Sequence, residues 1–247
     1  RIVGETAALD MSSTLRRPLD GIQVCVTGTE SFSDRLIRSL TALGAKAENV
    51  CRLGLKSYSG GPEMRRAYGN LSSYSWAVFT SANVVRLIFE GLLAAGKDLS
   101  SQGQLKLAAV GRGTAQELRR WGFLADYVPD RYQVEDLAQG LTELADGGDR
   151  ILIPRSRDGS HALNEALEAE GIPYDDIVLY EVTAEWRERE RLAEILGQSQ
   201  YLTFASGSGV NAFFDGLTEE ERQGLDHIRI VCIGGVTARA LEKRGRK

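Results

Sequence analysis

The sequence predicts an α/β protein of two related lobes, each a parallel sheet flanked by helices. Three observations predict it. Short apolar or β-branched runs alternate with amphipathic stretches. Most of these runs lead through a small-residue turn directly into a helical pattern. Several segments also recur in the same order at nearly one spacing. With 247 residues, 43% of them hydrophobic, the chain can bury one large core or two small ones, and the recurrence favours two.

The elements follow from local pattern. Val24 to Thr27 reads as a strand. Asp34 to Leu43 reads as a helix with Leu36, Ile37, Leu40 and Leu43 on one face, ended by Gly44. Further buried strands are predicted at Ala77 to Thr80, Leu107 to Val110, Ile151 to Pro154, Leu202 to Phe204 and Ile230 to Ile233. After Gly122 the chain continues through Phe123 to Val128 and into a helix over Val134 to Leu144.

The recurrence is specific. Phe79 to Leu92 matches Phe204 to Leu217, 125 positions on. Val110 to Leu118 matches Ile233 to Leu241, 123 positions on. The strand-helix unit ending at Leu43-Gly44 matches one ending at Glu170-Gly171, 127 positions on. Residues 123–144 have no counterpart in the second copy, so a strand and helix are expected to be missing or disordered there. A duplicated α/β protein is expected to take its ligand between the lobes, at the carboxyl ends of the strands.

Composition excludes several classes. A net charge of −4 supplies no basic field for nucleic acid. The apolar runs are too short to span a bilayer and no signal-peptide pattern opens the sequence, so a cytoplasmic protein without membrane partners is expected. Cys25, Cys51 and Cys232 each lie in an apolar run and read as buried thiols. His161 and His227 stand far apart, which argues against a metal centre or a Ser-His-Asp triad.

Four turns carry the candidate chemistry. Ser81-Ala82-Asn83 and Ser206-Gly207-Ser208 each follow a strand, as do Gly111-Arg112-Gly113-Thr114 and Gly234-Gly235-Val236-Thr237. Turns of this kind expose backbone N–H groups at helix N-termini, where anions bind. The Ser and Thr side chains could equally be plain helix caps. Four such turns, paired by duplication, favour a ligand with several negative groups. Arg155 and Arg157 at a strand end could meet carboxylates, as could Arg112 and Arg131. Gly111 and Gly113 also match a dinucleotide fingerprint weakly, because Gln116 stands at the third small position. Tyr180 lies in the apolar run Ile177 to Val182, and its hydroxyl needs a partner if buried.

The ordered set of motifs resembles the uroporphyrinogen-III synthase family: Phe79 to Asn83, Ala109 to Ala115, Ile151 to Arg155, Val178 to Val182, Phe204 to Val210 and Ile233 to Ala238. The resemblance covers about Pro18 to Gly245. It implies two lobes joined by a two-stranded β connection, with residues 18–50 and 178–247 in one lobe, 51–177 in the other, and 1–17 as an extension. It implies no cofactor and a substrate, hydroxymethylbilane, that carries eight carboxylates. The family reaction loses the terminal hydroxyl as water, passes through a spiro intermediate and inverts ring D. Tyr180 matches the family's tyrosine that assists departure of the hydroxyl. Thr114 and Thr237 match its glycine-threonine loops, Ser81 and Ser206 its serine turns, and Arg155 a variable loop. The first strand departs from the family, since Gly28-Thr29-Glu30 replaces an arginine-containing turn. Arg1 to Leu9 resembles the tail of a uroporphyrinogen-III methyltransferase, and Arg17 to Gly21 the junction of a fusion. A methyltransferase, fused or neighbouring, is therefore an expected partner of an otherwise monomeric chain. The rival reading is a non-catalytic two-lobe protein that binds a small polyanion.

Overall fold

Val24 to Thr27 sits at the centre of the first strand, and the alternation of runs and helices continues from it through the chain. The structure is a computed structural model that describes residues 17–99 and 104–246. In order the elements are β1 (Gln23–Gly28), α1 (Glu30–Ala42), β2 (Lys46–Ser57), α2 (Pro62–Gly69), β3 (Trp76–Phe79), α3 (Ala82–Ala94), β4 (Lys106–Ala109) and α4 (Arg112–Arg120). They continue with α5 (Val134–Leu144), β5 (Ile151–Ser156), α6 (Ala162–Ala169), β6 (Tyr174–Trp186), α7 (Leu192–Gln198), β7 (Tyr201–Phe204), α8 (Gly207–Asp215), α9 (Glu219–Gln223), β8 (Arg229–Cys232) and α10 (Gly235–Glu242). The stretch Arg1 to Leu9 lies outside the described residues. Among the described residues no helix is long and apolar enough to cross a membrane.

Two compact units form. One contains the described residues up to Gly54 together with those from Val182 on, and the other is Leu55–Glu181. In the first unit the strand order is β2-β1-β7-β8, and in the second it is β6-β5-β3-β4. The pairs β1–β2, β1–β7, β7–β8, β5–β6, β3–β5 and β3–β4 are all parallel. The two orders are the same once β1 is matched to β5, β2 to β6, β7 to β3 and β8 to β4. Each first pair even carries an irregularity near its end, at Val26/Thr27 in β1 and at Arg155/Ser156 in β5. The duplication read from three segments therefore extends through both sheets. The chain passes between the units within β2 and within β6. Along these strands Arg187 N–H donates to Val50 O (3.4 Å) and Tyr58 N–H donates to Leu179 O (2.7 Å), so β2 and β6 run antiparallel.

Helix α1 begins four residues before the expected Asp34. Its first turn is polar and lacks the apolar spacing by which the helix was recognised. Glu30 there suits the positive end of the helix dipole. Residues 123–128 do not form a strand of their own. They contribute only a bridge between Ala108 and Tyr127, with Ala109 N–H donating to Tyr127 O at 2.9 Å. The following helix, α5, has the expected limits.

In the second unit α5 buries Leu137, Ala138 and Leu141 against Trp76, Val78, Ala108, Ile151 and Ile153. The Tyr127 side chain lies against Gly140 of α5 so closely that a Cβ there would overlap its hydroxyl. Tyr68 meets Gly91 of α3 in the same way. In the first unit one core gathers Cys25, Cys51, Phe204, Val210, Phe213 and Phe214. On another side Leu19, Ile22, Leu36 and Leu40 border an apolar recess of about 510 Å³, whose other walls include Val231 and Ile233.

Candidate functional site

Each unit carries two of the four turns, placed where a strand ends and a helix begins. In the second unit Ser81 is extended (φ −162°, ψ 161°) and its Oγ accepts from Val84 N–H at 3.2 Å. In the first unit Ser206 does the same (φ −151°, ψ 153°), accepting from Gly209 N–H at 3.1 Å. Both serines thus cap their helices. Ala82 and Asn83 in α3, and Gly207 and Ser208 in α8, occupy first turns whose amides have no intrahelical acceptor. Ser208 Oγ lies 3.4 Å from Ser206 Oγ.

The two glycine turns need glycine for different reasons. Gly111 is fully extended, and its requirement is space, since a Cβ would come within 2.9 Å of the Tyr132 side chain. Gly234 has φ +82°, a backbone state that side chains disfavour. Gly113 lies in the first turn of α4 with open space around it. Thr114 and Thr237 are buried, at 5% and 2% exposure. The Thr237 hydroxyl donates to Ile233 O at 2.9 Å, so it serves its own helix. For Thr237, therefore, backbone placement and not the side chain is what the turn offers. The Arg112 guanidinium lies over the Tyr132 ring, 5.6 Å from its centre.

Tyr180 and Ser81 are brought together across 99 positions of sequence. Their hydroxyls stand 3.5 Å apart, and Tyr180 is 7% exposed, with its body packed in the second unit. Tyr180 O accepts from Arg157 N–H at 2.8 Å, which fixes the backbone at the end of β5. The buried phenol thus finds the polar partner that its apolar run required.

Arg155 is held within the fold. It points into the protein, at 7% exposure, and not toward solvent. Its Nε and Nη2 donate to the two carboxylate oxygens of Asp176 at 2.6 and 2.8 Å. Its Nη1 donates to Ser156 O and Arg157 O, each at 3.0 Å. Four of its five N–H donors are spent inside the fold. The cause is register, because Arg155 and Asp176 lie on adjacent parallel strands. Arg155 therefore ties down the loop after β5.

Residues missed in the sequence become visible once the register is known. One offset carries β1 to β5 and β2 to β6, with Gln23 opposite Lys46 and Ile151 opposite Tyr174. Arg52, opposite Gly28, then occupies the place that Tyr180 occupies opposite Ser156. Arg52 pairs with Glu30 at 3.3 Å. Extending the repeat alignment into these two strands would have found it. Among the described residues no group of His, Cys, Asp and Glu could hold a metal ion.

The HEM4 family model, described as uroporphyrinogen-III synthase HemD, matches residues 34–247. This chain belongs to that family. Over 245 residues it is 26% identical to the porphyrin biosynthesis protein HemD of Ruminiclostridium josui, covering 98% of this chain and 48% of that relative. The chain thus spans about half the length of that protein. It is 28% identical over 166 residues to a uroporphyrinogen-III synthase of Synechococcus elongatus, covering 67% of this chain and 62% of the other. A crystal structure of a mutant uroporphyrinogen III synthase from Thermus thermophilus shares the fold with TM-score 0.67 at 21% identity, over 92% of this chain and 90% of that one. The Helicobacter pylori uroporphyrinogen-III synthetase shares it with TM-score 0.54 at 18% identity, over 91% and 89%.

Proposed function

We propose that this chain is a uroporphyrinogen-III synthase, a cyclising hydro-lyase that closes hydroxymethylbilane into uroporphyrinogen III with inversion of ring D. Family membership supports the reading. The observation that carries it at the level of atoms is the Tyr180–Ser81 hydroxyl pair, 3.5 Å apart beside the N-terminus of α3.

The reaction breaks the C–O bond of the terminal hydroxymethyl group. The oxygen leaves as water after taking a proton, and a ring proton is lost when the new macrocycle regains its aromatic pyrroles. A phenol that donates a hydrogen bond to the departing oxygen assists the first step, and Tyr180 is assigned that role. Ser81 orients the Tyr180 hydroxyl. First-turn amides at Ala82, Asn83, Gly113, Gly207 and Ser208, with the turns at Gly111 and Thr114 and at Thr237, are assigned to the substrate carboxylates. Backbone donors suit a protein of net charge −4 that handles a polyanion. The larger part of the rate is assigned to folding the linear chain so that its ends meet. A soluble cytoplasmic location and a methyltransferase partner, fused or neighbouring, complete the proposal.

The test is isomer analysis of the product formed from hydroxymethylbilane. Formation of the type III isomer supports the reading. Exclusive formation of type I at the uncatalysed rate, with or without binding, overturns it and leaves only a polyanion-binding protein.

A further inference from the structure

Outside the turns, four side chains from three strands meet in the second unit. Lys56 and Tyr58 come from the end of β2, Arg157 follows β5, and Glu181 follows Tyr180 in β6. Glu181 is shared by two cations. Lys56 Nζ lies 3.2 Å from Oε1, and Arg157 Nε lies 2.6 Å from Oε2. Both cations also lie over the Tyr58 ring, at 5.3 and 5.6 Å from its centre. Arg157 Nη2 reaches the Tyr58 hydroxyl at 3.4 Å.

The arrangement is more than a surface ion pair. Two cations against one carboxylate leave one positive charge among the three. Lys56 and Arg157 are 60% and 53% exposed at their side chains, while Glu181 is only 21% exposed. The cations therefore present themselves to solvent with their anchor behind them. Arg157 uses Nε on Glu181 and one Nη2 hydrogen on Tyr58, so its Nη1 pair is not spent on either. Contacts with Tyr58, Arg157 and Lys56, in that order of weight, hold the Glu181 carboxyl down to about 2, so it stays ionised across the working pH range. The backbone is fixed as well, through Tyr58 N–H to Leu179 O and Arg157 N–H to Tyr180 O.

We infer that Lys56 and Arg157 form a carboxylate-binding subsite, pre-oriented by Tyr58, in which Glu181 is a resident counter-ion that a substrate carboxylate joins or displaces. The inference rests on the proposed function for its ligand, a linear pyrrole bearing many carboxylates. It assigns Lys56 and Arg157 to binding, Tyr58 to positioning, and Glu181 to competing with the substrate carboxylate for the two cations.

The inference is tested with uroporphyrin, an octacarboxylate, titrated against the full chain at low salt by porphyrin fluorescence. Lys56→Ala and Arg157→Ala should each weaken binding about tenfold, as expected for loss of a charge-assisted bond. Glu181→Gln should move the other way, tightening binding roughly fivefold because it removes a competing negative charge. A merely structural ion pair predicts the opposite for Glu181→Gln: looser binding or none gained, with a lower melting temperature. The inference is overturned if Glu181→Gln fails to tighten binding, or if both alanine variants bind as the parent does. Should Arg157→Ala fail to fold, Arg157→Lys with Glu181→Gln decides the matter by the same two readouts. Turnover of hydroxymethylbilane by the unaltered chain is measured in parallel. Type III product with unchanged probe binding in the variants sinks the subsite alone, whereas absence of type III product removes the function and the subsite with it.

Discussion

Replacing Asp176 by Asn would leave the Arg155 guanidinium charged, 7% exposed and without its counter-ion. At present that ion pair has two short bonds, 2.6 and 2.8 Å, and the same side chain donates twice more to backbone carbonyls. Breaking a buried pair by removing one partner costs about 3–5 kcal/mol. Asp176 itself is 20% exposed at its side chain, so water already reaches one side of the pair and the low end applies. The expected loss for Asp176→Asn is about 3 kcal/mol. Arg155→Met removes the buried charge and leaves a carboxylate that water can solvate, so its loss is smaller, about 2 kcal/mol. The double change Arg155→Met with Asp176→Leu should cost less than the two single changes together. Urea unfolding at pH 7, followed by circular dichroism and tryptophan fluorescence, reads these values. With a slope of about 2–3 kcal/mol per molar urea, Asp176→Asn should lower the midpoint by roughly 1 M. A midpoint nearly unmoved by Arg155→Met, together with a large rise in KM for hydroxymethylbilane, would refute the reasoning and return Arg155 to the ligand.

Three further outcomes are expected. Tyr180→Phe should lower kcat by tenfold or more with little change in the affinity for uroporphyrin, and an unchanged kcat would take the phenol out of the mechanism. Ser81→Ala and Ser206→Ala each remove one helix cap and should each cost about 1 kcal/mol in urea unfolding, while only Ser81→Ala, the one beside Tyr180, should also lower kcat. Equal kinetic effects from the two would dissociate Ser81 from Tyr180. Burial pushes the Cys25 thiol up to about 11 and the Cys51 thiol up to about 12. Unfolded thiols lose their protons near pH 9, so above that pH the unfolded chain binds fewer protons than the folded one. Stability should then fall as pH rises from about 9 toward 11, by up to about 1.4 kcal/mol per pH unit for each thiol, with no slope from them at pH 7. A Cys25→Ala, Cys51→Ala double variant should lose that slope, and persistence of the full slope would show that other groups cause it.

Most strands were legible because buried parallel strands are short apolar runs between turns, and the repeat supplied the rest of the architecture. The start of α1 was not, because Glu30 to Ser33 lack apolar spacing. Strands β2 and β6 were harder still. At Lys46–Ser57 and Tyr174–Trp186 they are long and largely half-exposed, with charged and apolar residues mixed along both. The turns at Ser81 and Ser206 could be read directly, since small residues after a strand have few other uses. The Ser81–Tyr180 proximity could not, because it depends on β3, β5 and β6 lying side by side. The same holds for Arg155: nothing local says that Asp176 will stand next to it. Arg157, two residues on, was named with it on the same evidence, yet it points to solvent.

The two tyrosine-on-glycine contacts decide how this protein could be made hardier. Exchanging a helical glycine for alanine commonly gains about 0.5–1 kcal/mol by restricting the unfolded chain. Gly69 and Gly197 have empty space where the methyl would go and are open to that exchange. Gly91 and Gly140 are not, because a phenol already fills the place of the methyl. A stabilisation scheme guided by helix propensity alone would treat all four alike, and at two of them it would wedge the helix off its sheet.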